Sequence, residues 1–120
     1  LIIDFGARQF GLSAKQWNMP MFIMSSESSL SFVIPQEVPV NAAEFRAQLF
    51  HRAPSQLLFI LRAPDGSETP LSLNFGSGYL HTIDTKQLIP DVTAKGVWKL
   101  IVRSNTALRG VLYNSELKLD

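Results

Sequence analysis

Cysteine is absent from this 120-residue chain, which excludes disulfides, thiolate nucleophiles and cysteine-bound metals together. Charge is scarce as well. Eleven basic against ten acidic side chains leave a net charge of +1, and charged residues make up 18% of the chain. Without a basic stripe there is no electrostatic footprint for nucleic acid. Without a polybasic cluster beside an amphipathic helix, binding to a membrane surface is not indicated. No apolar run approaches the roughly 18 residues of a membrane span. The chain starts at Leu1 and shows no n-region or h-region of a signal peptide, so a mature product or an excised domain is expected.

What is present is apolar matter repeating with a period of two. The apolar fraction is 46%, and a chain this long buries roughly two-thirds of its unfolded surface, enough for one core. Phe45, Ala47 and Leu49 alternate with Glu44, Arg46 and Gln48, the pattern of a half-buried strand. The run Leu57 to Leu61 is apolar on both faces, as in a central strand, and Pro64-Asp65-Gly66 ends it with a turn. Leu71, Leu73 and Phe75 alternate again before Gly76-Ser77-Gly78, and Tyr79 to Asp84 forms another short strand. Lys86 to Lys95 contains Pro90 and reads as a connection.

Gly96 opens the cleanest strand, with Trp98, Leu100 and Val102 inward. A final strand starts at Gly110, and its inward phase changes between Leu112 and Leu117. A bulge near Asn114-Ser115 would restore one inward face. In the first third, Leu1 to Phe5, Met21 to Met24 and Leu30 to Ile34 are strand candidates. Ala7 to Asn18 reads as a helical turn with Phe10 and Trp17 on one side, and Ser25 to Ser29 as a polar loop. Together these predict an all-β fold, a jelly-roll-like β-sandwich of about eight short antiparallel strands. One domain is expected over 1–120, with 1–29 as an N-terminal segment.

Two stretches carry a resemblance. One is His51-Arg-Ala-Pro-Ser-Gln-Leu-Leu-Phe-Ile-Leu-Arg-Ala-Pro-Asp-Gly-Ser67; the other is Gly96-Val-Trp-Lys-Leu-Ile-Val102, followed by Gly110-Val-Leu112 and Leu117-Lys-Leu119. Together they resemble the P domain of kexin- and furin-type proprotein convertases, over residues 30–120. The resemblance implies a jelly roll, an extracellular or periplasmic setting and a role beside a subtilisin-like protease domain. It also implies a calcium position, but Gln56 stands where the family carries an Asp, and Ser104 where an Asp follows the Trp strand. An amide is a poorer calcium ligand than a carboxylate, so no cofactor is expected.

Chemistry is thinly represented. There are two histidines, His51 and His81, and no Gly-x-Ser-x-Gly elbow. His51 continues an inward parity and reads as a structural, hydrogen-bonded histidine, and His81 as a surface residue. Zinc signatures with close ligand pairs are missing, and the Gly76-Ser77-Gly78 stretch lacks the Lys-Ser/Thr ending of a phosphate loop. No catalytic residue and no metal site are assigned. The segment from Trp17 to Met24 concentrates soft and aromatic side chains, and Trp17, Met19, Met21, Phe22 and Met24 form the candidate partner-binding patch.

The expected role is a non-catalytic accessory domain or partner protein, in cis or in trans, that stabilises or assists a secreted subtilisin-like serine protease. The alternative is a carbohydrate- or protein-binding jelly-roll module of another secreted enzyme. That role needs exposed aromatics in a groove, whereas most aromatics here have inward parity.

Overall fold

The computed structural model describes residues 2–4, 11–16 and 20–120, with side chains from residue 20 onward. Ten strands are formed among the described residues: β1 (Ile2–Asp4), β2 (Gly11–Gln16), β3 (Met21–Ile23), β4 (Glu27–Ile34), β5 (Pro39–Phe50), β6 (Leu57–Arg62), β7 (Glu68–Pro70), β8 (Leu80–Thr93), β9 (Gly96–Ser104) and β10 (Gly110–Leu119). Every pairing is antiparallel. One sheet runs β1-β2-β10-β5-β8, with β3 also pairing with β10, and the other runs β4-β9-β6-β7. The fold is the expected all-β, jelly-roll-like sandwich, with ten strands among the described residues where about eight were expected, two of them long, β5 and β8.

Alternation decides what lies between the sheets. Phe32 of β4, Phe59 of β6, and Trp98 and Leu100 of β9 face Phe45 and Leu49 of β5 and Leu112 and Leu117 of β10, all fully buried. The Phe32 and Phe45 rings meet edge to face across the layers, 6.3 Å between centroids, a geometry worth about 0.5–1.5 kcal/mol beyond area burial. Burying an indole leaves its N–H in need of an acceptor. Trp98 Nε1–H donates to the Ala94 carbonyl at 2.8 Å. β6 lies between β9 and β7, with Phe59 and Leu61 in the core and Ile60 buried on the opposite face beside its partner Ile101.

The change of phase in the last strand is a bulge. Tyr113 pairs with Gln48 but Glu116 pairs with Arg46, so Asn114 and Ser115 stand opposite Ala47 alone. Asn114 takes φ 53°, a conformation that asparagine tolerates better than most residues. Leu112 and Leu117 both reach the core as a result.

Four local readings are corrected. Residues 11–16 form strand β2, not a helical turn, because they ladder onto β1 and β10; Phe10 and Trp17 lie outside the described residues. Lys86–Lys95 is not a connection, since β8 continues through it to Thr93. Val40 pairs with Val92 and Ala42 with Leu88, so Ile89 to Asp91 bulge opposite Asn41. β8 is the outermost strand of its sheet, where proline's missing N–H breaks no ladder bond. Leu71 to Phe75 is irregular: the chain there leaves one sheet for the other, and Leu71, Leu73 and Phe75 still pack on the core. Ser25 and Ser26 bend, but Glu27 already belongs to β4.

The Pro64-Asp65-Gly66 turn closes with Gly66 N–H donating to the Ala63 carbonyl at 2.9 Å. Two hydrogen bonds from Ser67, side chain and backbone, hold the Asp65 carboxyl below its ordinary value. Both glycines that open the motif strands are sterically required. Gly96 has φ 131°, and a Cβ there would sit 2.6 Å from the Pro64 Cβ. A Cβ on Gly110 would collide with the Phe50 carbonyl oxygen and stand 2.7 Å from the His51 ring. Gly110→Ala is expected to destabilise the fold by about 1–3 kcal/mol in urea unfolding. Gly76→Ala, with open space around it, is expected to stay within about 0.5 kcal/mol.

Candidate functional site

The outer face of the larger sheet is where exposed apolar side chains line up. Met21, Ile23, Leu49 and Leu112 point inward, so their neighbours Phe22, Phe50 and Val111 point out. Register then places them in one transverse row: Phe22 opposite Val111, Val111 opposite Phe50, and Phe50 opposite Leu80. Phe22 is 65% exposed, Phe50 41% and Leu80 68%. Tyr79, 55% exposed, extends the row, its ring meeting Phe50 at 6.2 Å and lying 5.8 Å beneath the Arg52 guanidinium.

His51 fixes this end of the sheet from the inside. It is fully buried, and its Nδ1 accepts the Ala53 N–H at 2.9 Å. The proton therefore resides on Nε2, which donates to the Leu108 carbonyl at 3.3 Å. Its own backbone N–H donates to the Tyr79 carbonyl at 2.9 Å, holding the aromatic row in place. With both ring nitrogens engaged, His51 has the structural role expected of it. His81 lies half-buried on β8, bonded to the Gly78 carbonyl at 3.0 Å and edge-on to Phe75.

The candidate patch from Trp17 to Met24 is only partly on this face. Trp17 and Met19 lie outside the described residues. Met21 is a correction: it is 6% exposed, packed in the core beside Ile23, because β3 alternates like any strand. Phe22 and Met24 are exposed. Phe50 and Leu80 were missed, although a signal existed. Phe50 shares the outward parity of Glu44, Arg46 and Gln48, and Leu80 that of Thr82 and Asp84, so each is an apolar residue at a polar position.

Beyond the apolar row the face turns polar. Tyr113, Gln48 and Thr82 form the next row, and Glu116, Arg46 and Asp84 the one after it. The Arg46 guanidinium contacts Glu44 at 2.9 Å and Asp84 at 3.3 Å, and the field of Glu44, then Asp84, raises its pKa. A hollow of about 450 Å³ lies here, lined among others by Arg46, Gln48, Thr82, Asp84 and Asn114.

The two positions aligned with calcium ligands do converge. Asn105 N–H donates to the Gln56 carbonyl at 3.0 Å, and Ser104 pairs with Leu57. The side chains around them are Ser55, Gln56, Arg103, Ser104 and Asn105, a set without a carboxylate and with a cation. Ser104 Oγ is moreover engaged, donating to the Thr106 carbonyl at 2.9 Å. This donor set does not fit calcium, which favours charged oxygen ligands. Among the described residues no cluster of three or more His, Cys, Asp or Glu side chains is placed to hold a metal.

The architecture defines the class: an antiparallel, jelly-roll-like β-sandwich. Solved structures share it. The serine protease of Aeromonas sobria superposes on 91% of this chain with a TM-score of 0.69 and 20% identity. A chain from the complex of that protease with its chaperone gives 0.70 and 16%, again over 91%. In both cases this chain spans 26% of the matched chain's length. A family 16 carbohydrate binding module gives 0.50 at 10% identity, covering 79% of this chain and 72% of that one. At such identities the likeness is one of fold. No family model and no curated protein matches the sequence.

The corrected patch separates by stability. Met21→Ala is expected to cost about 2–4 kcal/mol and Phe22→Ala less than about 0.5 kcal/mol, both read by urea unfolding.

Proposed function

We propose that this chain is a non-catalytic β-sandwich that docks on a subtilisin-like serine protease domain and stabilises it. The observation that carries the reading is the outward apolar row Phe22–Val111–Phe50–Leu80, with Val111 half-buried and the other three exposed. Contiguous apolar surface of this kind, rimmed by paired charges, marks protein interfaces. The protease as partner is supported by the fold shared with part of a serine protease structure and by the motif strands at His51 and Gly96. On this reading the domain is a divergent relative of the convertase P domain, in an extracellular or periplasmic setting. It acts in cis or in trans and uses no cofactor.

A ligand at a hundred times its Kd stabilises its target by about 2.7 kcal/mol, or roughly 5–10 °C in Tm for a catalytic domain of ordinary size. The chain is expected to raise by that amount the Tm of the subtilisin-like protease encoded in the same reading frame or operon. Phe50→Asp is expected to remove the rise while leaving the sandwich folded. No rise at saturation with the wild-type chain overturns the reading. Millimolar calcium against a chelator is expected to leave the chain's own Tm unchanged, because neither Gln56 nor Ser104 supplies a charged ligand; a calcium-dependent rise would contradict the cofactor-free reading.

A further inference from the structure

We propose that the hollow on the outer face of the larger sheet is a binding site for a neutral, polyhydroxylated ligand, a short oligosaccharide. The proposal stands apart from protease docking and does not depend on it.

Charge comes first. The cation in the hollow, Arg46, is committed to Glu44 at 2.9 Å and Asp84 at 3.3 Å. An anionic ligand would have to displace those carboxylates and would meet Glu116 in the lining as well, and a cationic one would meet the guanidinium held between them. Both signs of charge line the hollow together, and the side chains left for a ligand are the uncharged ones.

The unengaged groups point to a different chemistry. Gln48, Thr82 and Asn114 are exposed and line the hollow, and their side chains form no hydrogen bond among the described residues. Tyr113, half-buried, stands directly across from Gln48. A primary amide offers two donors and one acceptor, and a hydroxyl offers one donor and two acceptors. Such mixed groups match the hydroxyls of a sugar, each of which both donates and accepts. A simple ion has only one of the two roles.

The backbone has fixed these groups in advance. Gln48 and Thr82 are register partners on β5 and β8, neighbouring strands roughly 4.8 Å apart. Asn114 sits at the bulge with φ 53°; in an unbulged strand the following residues could not keep their inward phase. One amide is thereby presented on the outer face from a strand that buries Leu112 and Ser115. Next to these polar groups, Phe50 lies two residues, roughly 7 Å, along β5 from Gln48. Its ring and that of Tyr113 stand beside the hollow rather than in its lining, as apolar surface bordering the polar groups. The volume of about 450 Å³ falls within the roughly 300–1,000 Å³ range of small-ligand sites.

The test is a ¹⁵N NMR titration of the full chain with neutral hexasaccharides of glucose, xylose, mannose and galactose. At least one is expected to shift the backbone amide signals of Gln48, Thr82 and Asn114 and the side-chain amide signals of Gln48 and Asn114, with a Kd in the millimolar range or below. Gln48→Ala and Asn114→Gly, the latter compatible with the positive φ, are each expected to weaken that binding about tenfold, or 1.4 kcal/mol, with Tm nearly unchanged. Val33→Ala, exposed on β4 of the other sheet, is expected to bind normally. The proposal is overturned if no hexasaccharide shifts these signals at millimolar concentration, if the shifts fall elsewhere, or if both variants bind as the wild type does.

Discussion

Closure of two pleated sheets over a shared aromatic interior governs the rest of this structure. Trp98, Phe32 and Phe59 from one sheet meet Phe45, Leu49 and Leu112 from the other with no solvent between them. Because side chains alternate along a strand, filling the inner face leaves every second position to the outside. Any apolar residue at those outer positions is then uncommitted by the core. The functional face is in this sense a by-product of the interior: Phe50 and Phe22 are exposed because Leu49, Met21 and Ile23 are not.

The same constraint explains the irregularities. β10 must bring Leu112 and Leu117 into one core although they differ in parity, and the bulge at Asn114 absorbs the difference. That correction has a consequence on the other side, where the Asn114 amide joins Gln48 and Thr82 around the hollow. At the end of the sheet, His51 fills the space that Gly110 leaves open and ties residue 53, residue 108 and Tyr79 together. The exposed aromatic row rests on that buried knot of neutral hydrogen bonds. A structural histidine and a surface patch are thus parts of one device.

Two kinds of chemistry share the outer face. One end is apolar and suits burial against a protein. The middle is a lattice of paired charges and free amides, suited to an uncharged hydrogen-bonding ligand. Fold likeness does not choose between such uses, since one scaffold carries many functions. The side chains on the face distinguish them by position, four residues apart along β5 from Phe50 to Arg46. Around Gln56 and Ser104, the Asn105 N–H bond to the Gln56 carbonyl and the hydrogen bonds among residues 104, 106 and 108 hold the backbone together.

The amino-acid order alone determined the local facts. Period-two alternation identified β4, β5, β9 and β10 with their inward residues, because strand geometry maps parity directly onto a face. The Pro64 turn, the bulge at Asn114 and the buried roles of Trp98 and His51 were legible for the same local reason. What escaped were features set by partners distant in the chain. Residues 11–16 became a strand by pairing with β10, and β8 resumed its ladder beyond Pro90 because the proline falls in a bulge of an edge strand. Phe22, Val111, Phe50 and Leu80, separated by up to 89 positions, became one row only when register aligned them. Parity is inherited from neighbours along the chain, but adjacency across strands is created by folding, and a surface site is made of the second.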